Sequence, residues 1–161
     1  MKKFISIFAL ALALALPSLS WAAVGSCVQT PYSYVGGGFL VRFVCTGGTA
    51  GEIGTIPTQT VDSATMALLT GNYYLYQVEA KPTSGGTAPD AADVAVLMSG
   101  MDQLGGKGTN LIHATETRDT FPYSAFMGIY RPSWVKSTIT VTVANQITAS
   151  ANFTIDLLFV R

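Results

Sequence analysis

S-T-I-T-V-T-V-A at residues 137–144 and A-N-F-T-I-D-L-L-F-V at 151–160 decide the fold class. In the first, Ile139, Val141 and Val143 alternate with Thr138, Thr140 and Thr142. In the second, Phe153, Ile155, Leu157 and Phe159 alternate with Asn152, Thr154 and Asp156. A period of two puts each apolar set on one face of an extended strand, and β-branched residues suit such a half-buried surface. The two runs read as a C-terminal β-hairpin joined through 145–150. Working outward, Phe39 to Cys45 places Phe39, Val41, Phe43 and Cys45 on one face, and Tyr73 to Lys81 places Tyr74, Tyr76, Val78 and Ala80 against Gln77, Glu79 and Lys81. Val94 to Met98 is apolar on both faces, as a central strand is. Weaker strand signals cover 54–61, 110–115 and 124–130. One short helical turn fits 63–69, capped by Asp62 and closed by Gly71.

About eight short strands, separated by connections bearing Gly, Pro and Asn, predict an all-β antiparallel sandwich of jelly-roll type. Residues 1–22 read as a secretory leader: Lys2 and Lys3, an apolar run from Phe4 to Leu16, Pro17, and the small-x-small site Ser20-Trp21-Ala22. Residues 23–161 then form one domain. The apolar run falls short of the roughly 20 residues that span a bilayer, and no later segment approaches it, so no transmembrane anchor is expected. The expected location is outside the cytoplasm, periplasmic or at the cell surface.

Of the 161 residues, 49% are apolar and 11% charged, a composition that folds. Without Lys2 and Lys3, seven basic side chains face nine acidic ones, which excludes a nucleic-acid binder driven by phosphate contacts. Cys27 and Cys45 are the only cysteines, and in an exported chain they are expected to form a disulfide closing a loop of about 18 residues, for about 3 kcal/mol. A competing lipobox reading of Val24-Gly25-Ser26-Cys27 would lipidate Cys27 and strand Cys45. The C-x-x-C spacing of a metal or redox pair is absent from the sequence, so no metal or cofactor is predicted.

His113 is the only histidine and lies among apolar residues, with no G-x-S-x-G elbow anywhere in the chain. Asp90, Asp93 and Asp102 offer hard oxygen ligands for calcium but fit no EF-hand spacing, and turn chemistry suits Asp90 and Asp102 better. Glu79, Glu116 and Asp119 are the carboxylates from which a glycosidase pair would be drawn. No catalytic residue is assigned, and the protein is expected not to be an enzyme. Aromatic residues carry the stronger signal. Tyr32, Tyr34, Tyr73, Tyr123, Tyr130 and Trp134 lie in or beside loops, and Phe121-Pro122-Tyr123 with Tyr130-Arg131-Pro132-Ser133-Trp134 form the expected ligand or partner surface, centred on Tyr123, Tyr130, Arg131 and Trp134.

Three stretches carry a resemblance: G-N-Y-Y-L-Y-Q-V-E-A-K-P-T-S-G-G-T-A-P-D at 71–90, D-V-A-V-L-M-S-G-M-D-Q-L-G-G-K-G-T-N at 93–110, and S-T-I-T-V-T-V-A-N-Q-I-T-A-S-A-N-F-T-I at 137–155. In these the chain resembles uncharacterised virion-type proteins of phages and prophages, which implies a small all-β protein that assembles and does not catalyse. A lesser likeness is to fimbrial subunits, which share one disulfide and a terminal apolar strand. Those need a donor strand ahead of the first cysteine, and only three residues separate Ala23 from Cys27. The expected function is that of an exported structural subunit acting through self-association as an oligomer or filament. A carbohydrate- or surface-binding module, with a surface polysaccharide as partner, is the alternative, and a fimbrial-type subunit is a third. Low charge favours association, because a dispersed monomer ordinarily carries more surface charge.

Overall fold

A computed structural model describes residues 24–49 and 54–161, so the leader and its cleavage site lie outside the described residues. In chain order the strands are β1 Ser26–Ser33, β2 Phe39–Thr46, β3 Gln59–Thr60, β4 Tyr74–Pro82, β5 Asp93–Met98, β6 Met101–Asp102, β7 Arg118–Thr120, β8 Tyr123–Ser124, β9 Ile129–Tyr130, β10 Ser133–Trp134, β11 Ile139–Ala144 and β12 Asn152–Val160. Among the described residues a single helix, α1 Ser63–Leu69, lies between β3 and β4. Every strand pairing is antiparallel.

One sheet runs β1-β2-β12-β4-β10, with β7 also on β4; a second runs β3-β11-β5-β6; and β8-β9 form a separate hairpin. Inward side chains of both larger sheets belong to one continuous core, with Phe43, Phe153, Ile155 and Leu157 from the first meeting Val96, Ile139 and Val141 from the second. The apolar sets read at 39–45 and 153–159 all lie in this core, and Leu40, Thr154 and Asp156 between them are buried as well. Burying the apolar side chains contributes roughly 1.5–3 kcal/mol each, and this is what holds the sheets together.

The expected C-terminal hairpin is not formed. β11 pairs with β3 and β5, while β12 pairs with β2 and β4 in the opposite sheet, so 145–151 is a crossover between sheets. Alternation fixes which face of a strand is buried but not which strand lies beside it. Asn145 and Ser150 turn the crossover with positive φ, and Asp90 clasps it by accepting from the backbone N–H of Ile147 (2.9 Å) and Thr148 (2.5 Å) and from the Thr148 hydroxyl (2.7 Å).

Other expectations also change. Strand β1 has no apolar alternation and contains Pro31, which an edge strand tolerates because its outer N–H groups need no partner. Residues 54–61 yield only β3, since the preceding Pro57 donates no ladder bond. Residues 110–115 form no strand: Leu111 and Ile112 are both buried, and only Ile112 bridges to Ala92. The run 124–130 is broken by Gly128 at φ +67° into the β8-β9 hairpin. β5 does lie centrally between β11 and β6, although Ala95 and Leu97 on its second face are only half-buried. The helix forms as read, with Asp62 Oδ1 accepting from the Thr65 N–H at 2.9 Å and Gly71 at positive φ beyond its end.

Candidate functional site

Strand β4 decides where the aromatic residues point. Its pairing with β12 matches Leu158 to Gln77 but Phe159 to Leu75, so Tyr76 is an extra residue and the strand carries a bulge there. Val78 and Ala80 face inward as expected. Beyond the bulge the phase reverses: Leu75 and Tyr73 are buried, and Tyr74 and Tyr76 turn outward, contrary to the alternation.

The outward tyrosines meet the two stretches singled out in the sequence. Tyr74 is paired in register with Trp134 and their rings stack at 6.3 Å and 28°. Tyr76 meets Phe121 edge-on at 5.6 Å, Phe121 meets Tyr130 at 6.5 Å, and Tyr130 meets Tyr123 at 5.1 Å. Lys107 lies over the Tyr123 ring at 4.8 Å. Trp134 remains half exposed, and every ring of the group except Tyr123 is openly exposed. Tyr32 and Tyr34 lie elsewhere, by the β1-β2 turn, and Tyr73 is buried against Phe39 at 5.9 Å.

Beside the rings the β8-β9 hairpin projects Phe126, fully exposed, with Met127 and Ile129. The tip is a defined turn, in which the Ser124 carbonyl accepts from the N–H groups of Met127 (3.1 Å) and Gly128 (2.8 Å). Its base is docked by the Tyr123 N–H donating to the Gln103 carbonyl at 2.9 Å and the Arg131 N–H to the Pro122 carbonyl at 2.9 Å. Gly105 lets Tyr123 come this close, since a Cβ there would stand 2.8 Å from the Tyr123 carbonyl oxygen. A cleft of about 380 Å³ opens next to the hairpin, lined by Tyr74, Trp134, Met101, Gln103, Arg131 and Lys136, among others. Four residues of its wall, Met101, Gln103, Arg131 and Ser133, also line the depression beneath Phe126, so tip and cleft share one face. Sequence reasoning missed Tyr74, Tyr76, Met101, Phe126 and Met127. The conflict between Leu75 and Val78 over phase in 73–81 is the signal that reveals the first two.

The charged candidates go elsewhere. On the outer face of the first sheet, Asp156 is 6% exposed, held by both Arg42 Nε and Nη2 at 2.7 Å and by Lys81 at 3.2 Å. The hydrogen bond with Asp156 raises the Arg42 pKa. Burial pulls Lys81 down, but its bonds to Glu79 and Asp156 raise it on balance. Glu79 and Asp119 are directly opposed in the β4-β7 register, with Lys81 on the former at 3.1 Å and Gln77 on the latter at 2.6 Å. Glu116 is engaged by Arg118 at 2.8 Å.

Asp102 accepts from the N–H groups of Val96, Leu104 and Gly106, the turn role expected of it, whereas Asp90 holds the distant 147–148 segment in place of the expected local turn, and Asp93 accepts from the Asn110 N–H and the Asn145 side-chain amide, each at 2.7 Å. His113 Nδ1 faces the N–H groups of Thr115 and Glu116 at 3.4 and 3.2 Å. No group of three or more His, Cys, Asp or Glu side chains is placed to hold a metal ion among the described residues. The Cys27–Cys45 disulfide joins directly paired positions of β1 and β2 and leaves no thiol at Cys27 for lipidation. Among the described residues no helix is long and apolar enough to cross a membrane. Comparison with protein families, curated proteins and solved structures finds no match for the chain.

Proposed function

We propose that this is an exported, non-catalytic β-sandwich of jelly-roll type that works by self-association through its aromatic face. The observation that carries the reading is the set of exposed rings, Tyr74 with Trp134 and Tyr76 with Phe121 and Tyr130, beside the fully exposed Phe126, on a chain with only 11% charged residues. A face of this kind, held on a hydrogen-bonded hairpin, is costly to leave in water and gains by being covered. Because the projecting tip and the cleft share one face, two copies related by a two-fold axis bury each other's tips, which is the isologous arrangement.

The jelly-roll reading is supported by the strand order. Setting aside β1, the sheets run β2-β12-β4-β10 and β3-β11-β5-β6, so chain-early and chain-late strands lie side by side as in a doubled-over ribbon, with β5-β6 the one consecutive pair among them. Export is supported by the leader motif in the sequence and by a disulfide, a bond favoured in oxidising compartments. The non-catalytic reading draws on the structural partner held by each described carboxylate. The likeness to phage virion proteins points the same way.

Sedimentation velocity over a range of concentrations tests the assembly. The protein is expected to sediment as a dimer or larger species, and Phe126→Ser with Met127→Ser to sediment as a monomer of unchanged fold. A wild-type chain that stays monomeric at the highest concentration overturns the reading.

A further inference from the structure

We propose that the cleft between Trp134 and Met101 binds an acidic saccharide, with the Tyr74–Trp134 pair as its stacking platform and Arg131 and Lys136 as its anion-binding groups. Charge pairing sets this cleft apart. Arg42 and Lys81 hold Asp156, Arg118 holds Glu116, and Lys107 and Arg161 lie over the rings of Tyr123 and Tyr73. Among the described residues that leaves Arg131 and Lys136 as the cationic side chains without an ionic, hydrogen-bond or ring partner. Both line the same cleft, and no carboxylate lines it with them. Two unpaired cations on one concave wall raise the potential there and favour an anion.

A second copy does not supply that anion through the described residues. Asp62, Asp90, Asp93 and Asp102 accept backbone N–H groups, Asp119 accepts from Gln77, and Glu79, Glu116 and Asp156 are in ion pairs. The described carboxylates are thus each engaged within the fold, which favours an anionic group from a different molecule. Its remaining chemistry is set by the walls. Stacked, half-exposed indole and phenol rings offer a flat apolar surface that matches the C–H face of a pyranose, and Gln103, Ser133, Ser99 and Ser137 supply neutral polar groups for hydroxyls. The volume of about 380 Å³ lies within the roughly 300–1,000 Å³ usual for ligand sites. The Arg131 fork suits a carboxylate or sulfate on the ring, which a neutral sugar lacks. The tip of a second copy and the saccharide would meet this same face, so binding competes with self-association and does not require it.

Calorimetry of the wild-type protein with oligogalacturonate, oligomannuronate, a hyaluronate fragment and a sulfated oligosaccharide, alongside methyl-esterified or desulfated counterparts, tests it; the carboxylated and sulfated arms distinguish the two sources of charge. At least one acidic member is expected to bind, its neutral counterpart to bind about tenfold or more weakly, and Arg131→Gln with Lys136→Gln to abolish the difference. Trp134→Ala should weaken acidic and neutral forms alike. Failure of every acidic member, equal binding of the neutral forms, or undiminished binding by the Arg131→Gln, Lys136→Gln variant overturns the proposal. So does a variant that loses only the oligomer, since the cleft is then a contact between copies. A wild-type monomer that binds acidic saccharide leaves this site standing and removes the assembly reading instead.

Discussion

The outer face of the β2-β12-β4 sheet and the aromatic face around β8-β10 both carry charged side chains at the surface, yet they treat them in opposite ways. On the sheet, Asp156 is almost wholly covered because Arg42 and Lys81 close over it, and Glu79 and Asp119 each hold a neighbour. Around the hairpin, rings stand exposed and Arg131 and Lys136 face a cleft unpaired. A polar group that is satisfied within the fold serves the fold, and one left unsatisfied at low cost to stability is free to serve a partner. Mutations on the first face should therefore register in stability, and mutations on the second in association and binding.

The largest stability effect is expected where the first sheet is covalently closed. Cys27→Ala with Cys45→Ala should lower the unfolding free energy by about 3 kcal/mol in urea titration, and no change in the midpoint would mean that the β1 edge does not share in the cooperative fold. Next comes Asp156→Ala, which leaves Arg42 and Lys81 facing each other across the sheet; about 2 kcal/mol is expected, below a fully buried pair because both cations are partly exposed. A neutral outcome there would erase the distinction between the two faces.

A smaller loss, about 1 kcal/mol, should follow Asp90→Asn, which sets an amide against the backbone N–H groups of Ile147 and Thr148. The Thr148 hydroxyl and those N–H groups outweigh burial and hold the Asp90 carboxyl below its ordinary value. Its contribution is present above the ordinary carboxylate range and disappears as pH falls through the lowered value, so acid should destabilise the wild type more steeply than the Asn variant. Parallel acid limbs in the two pH profiles would contradict the clasp. Smallest of all, Arg131→Gln, Trp134→Ala and Phe126→Ser should each shift thermal unfolding by no more than about 0.5 kcal/mol. A shift as large as that of Asp156→Ala would make the aromatic face structural.

Much of the core was legible in the sequence, because Phe39, Val41, Phe43 and Cys45, like Phe153, Ile155, Leu157 and Phe159, recur with a period of two around Arg42 and Asp156, and the cap and turn chemistry of Asp62 and Asp102 is local. Strand partnership was not, because alternation is silent on neighbours: the last two strands look like a hairpin until Asp90, far back in the chain, is seen holding the crossover. The candidate site was half legible. Tyr123, Tyr130, Arg131 and Trp134 do converge, since the hairpin folds 121–134 back on itself, but Tyr74 and Tyr76 join them only through a bulge that shifts β4 out of phase. Edge strand β1 was invisible for a physical reason: half of its length faces solvent and needs no apolar pattern.

The most direct test of the contrast is hydrogen–deuterium exchange measured on dilute and concentrated protein. Protection is expected to rise with concentration across 121–134 and at the start of β4, while 39–46 and 152–160 exchange identically at both. Equal exchange throughout, or new protection confined to the β1 edge, would contradict the account.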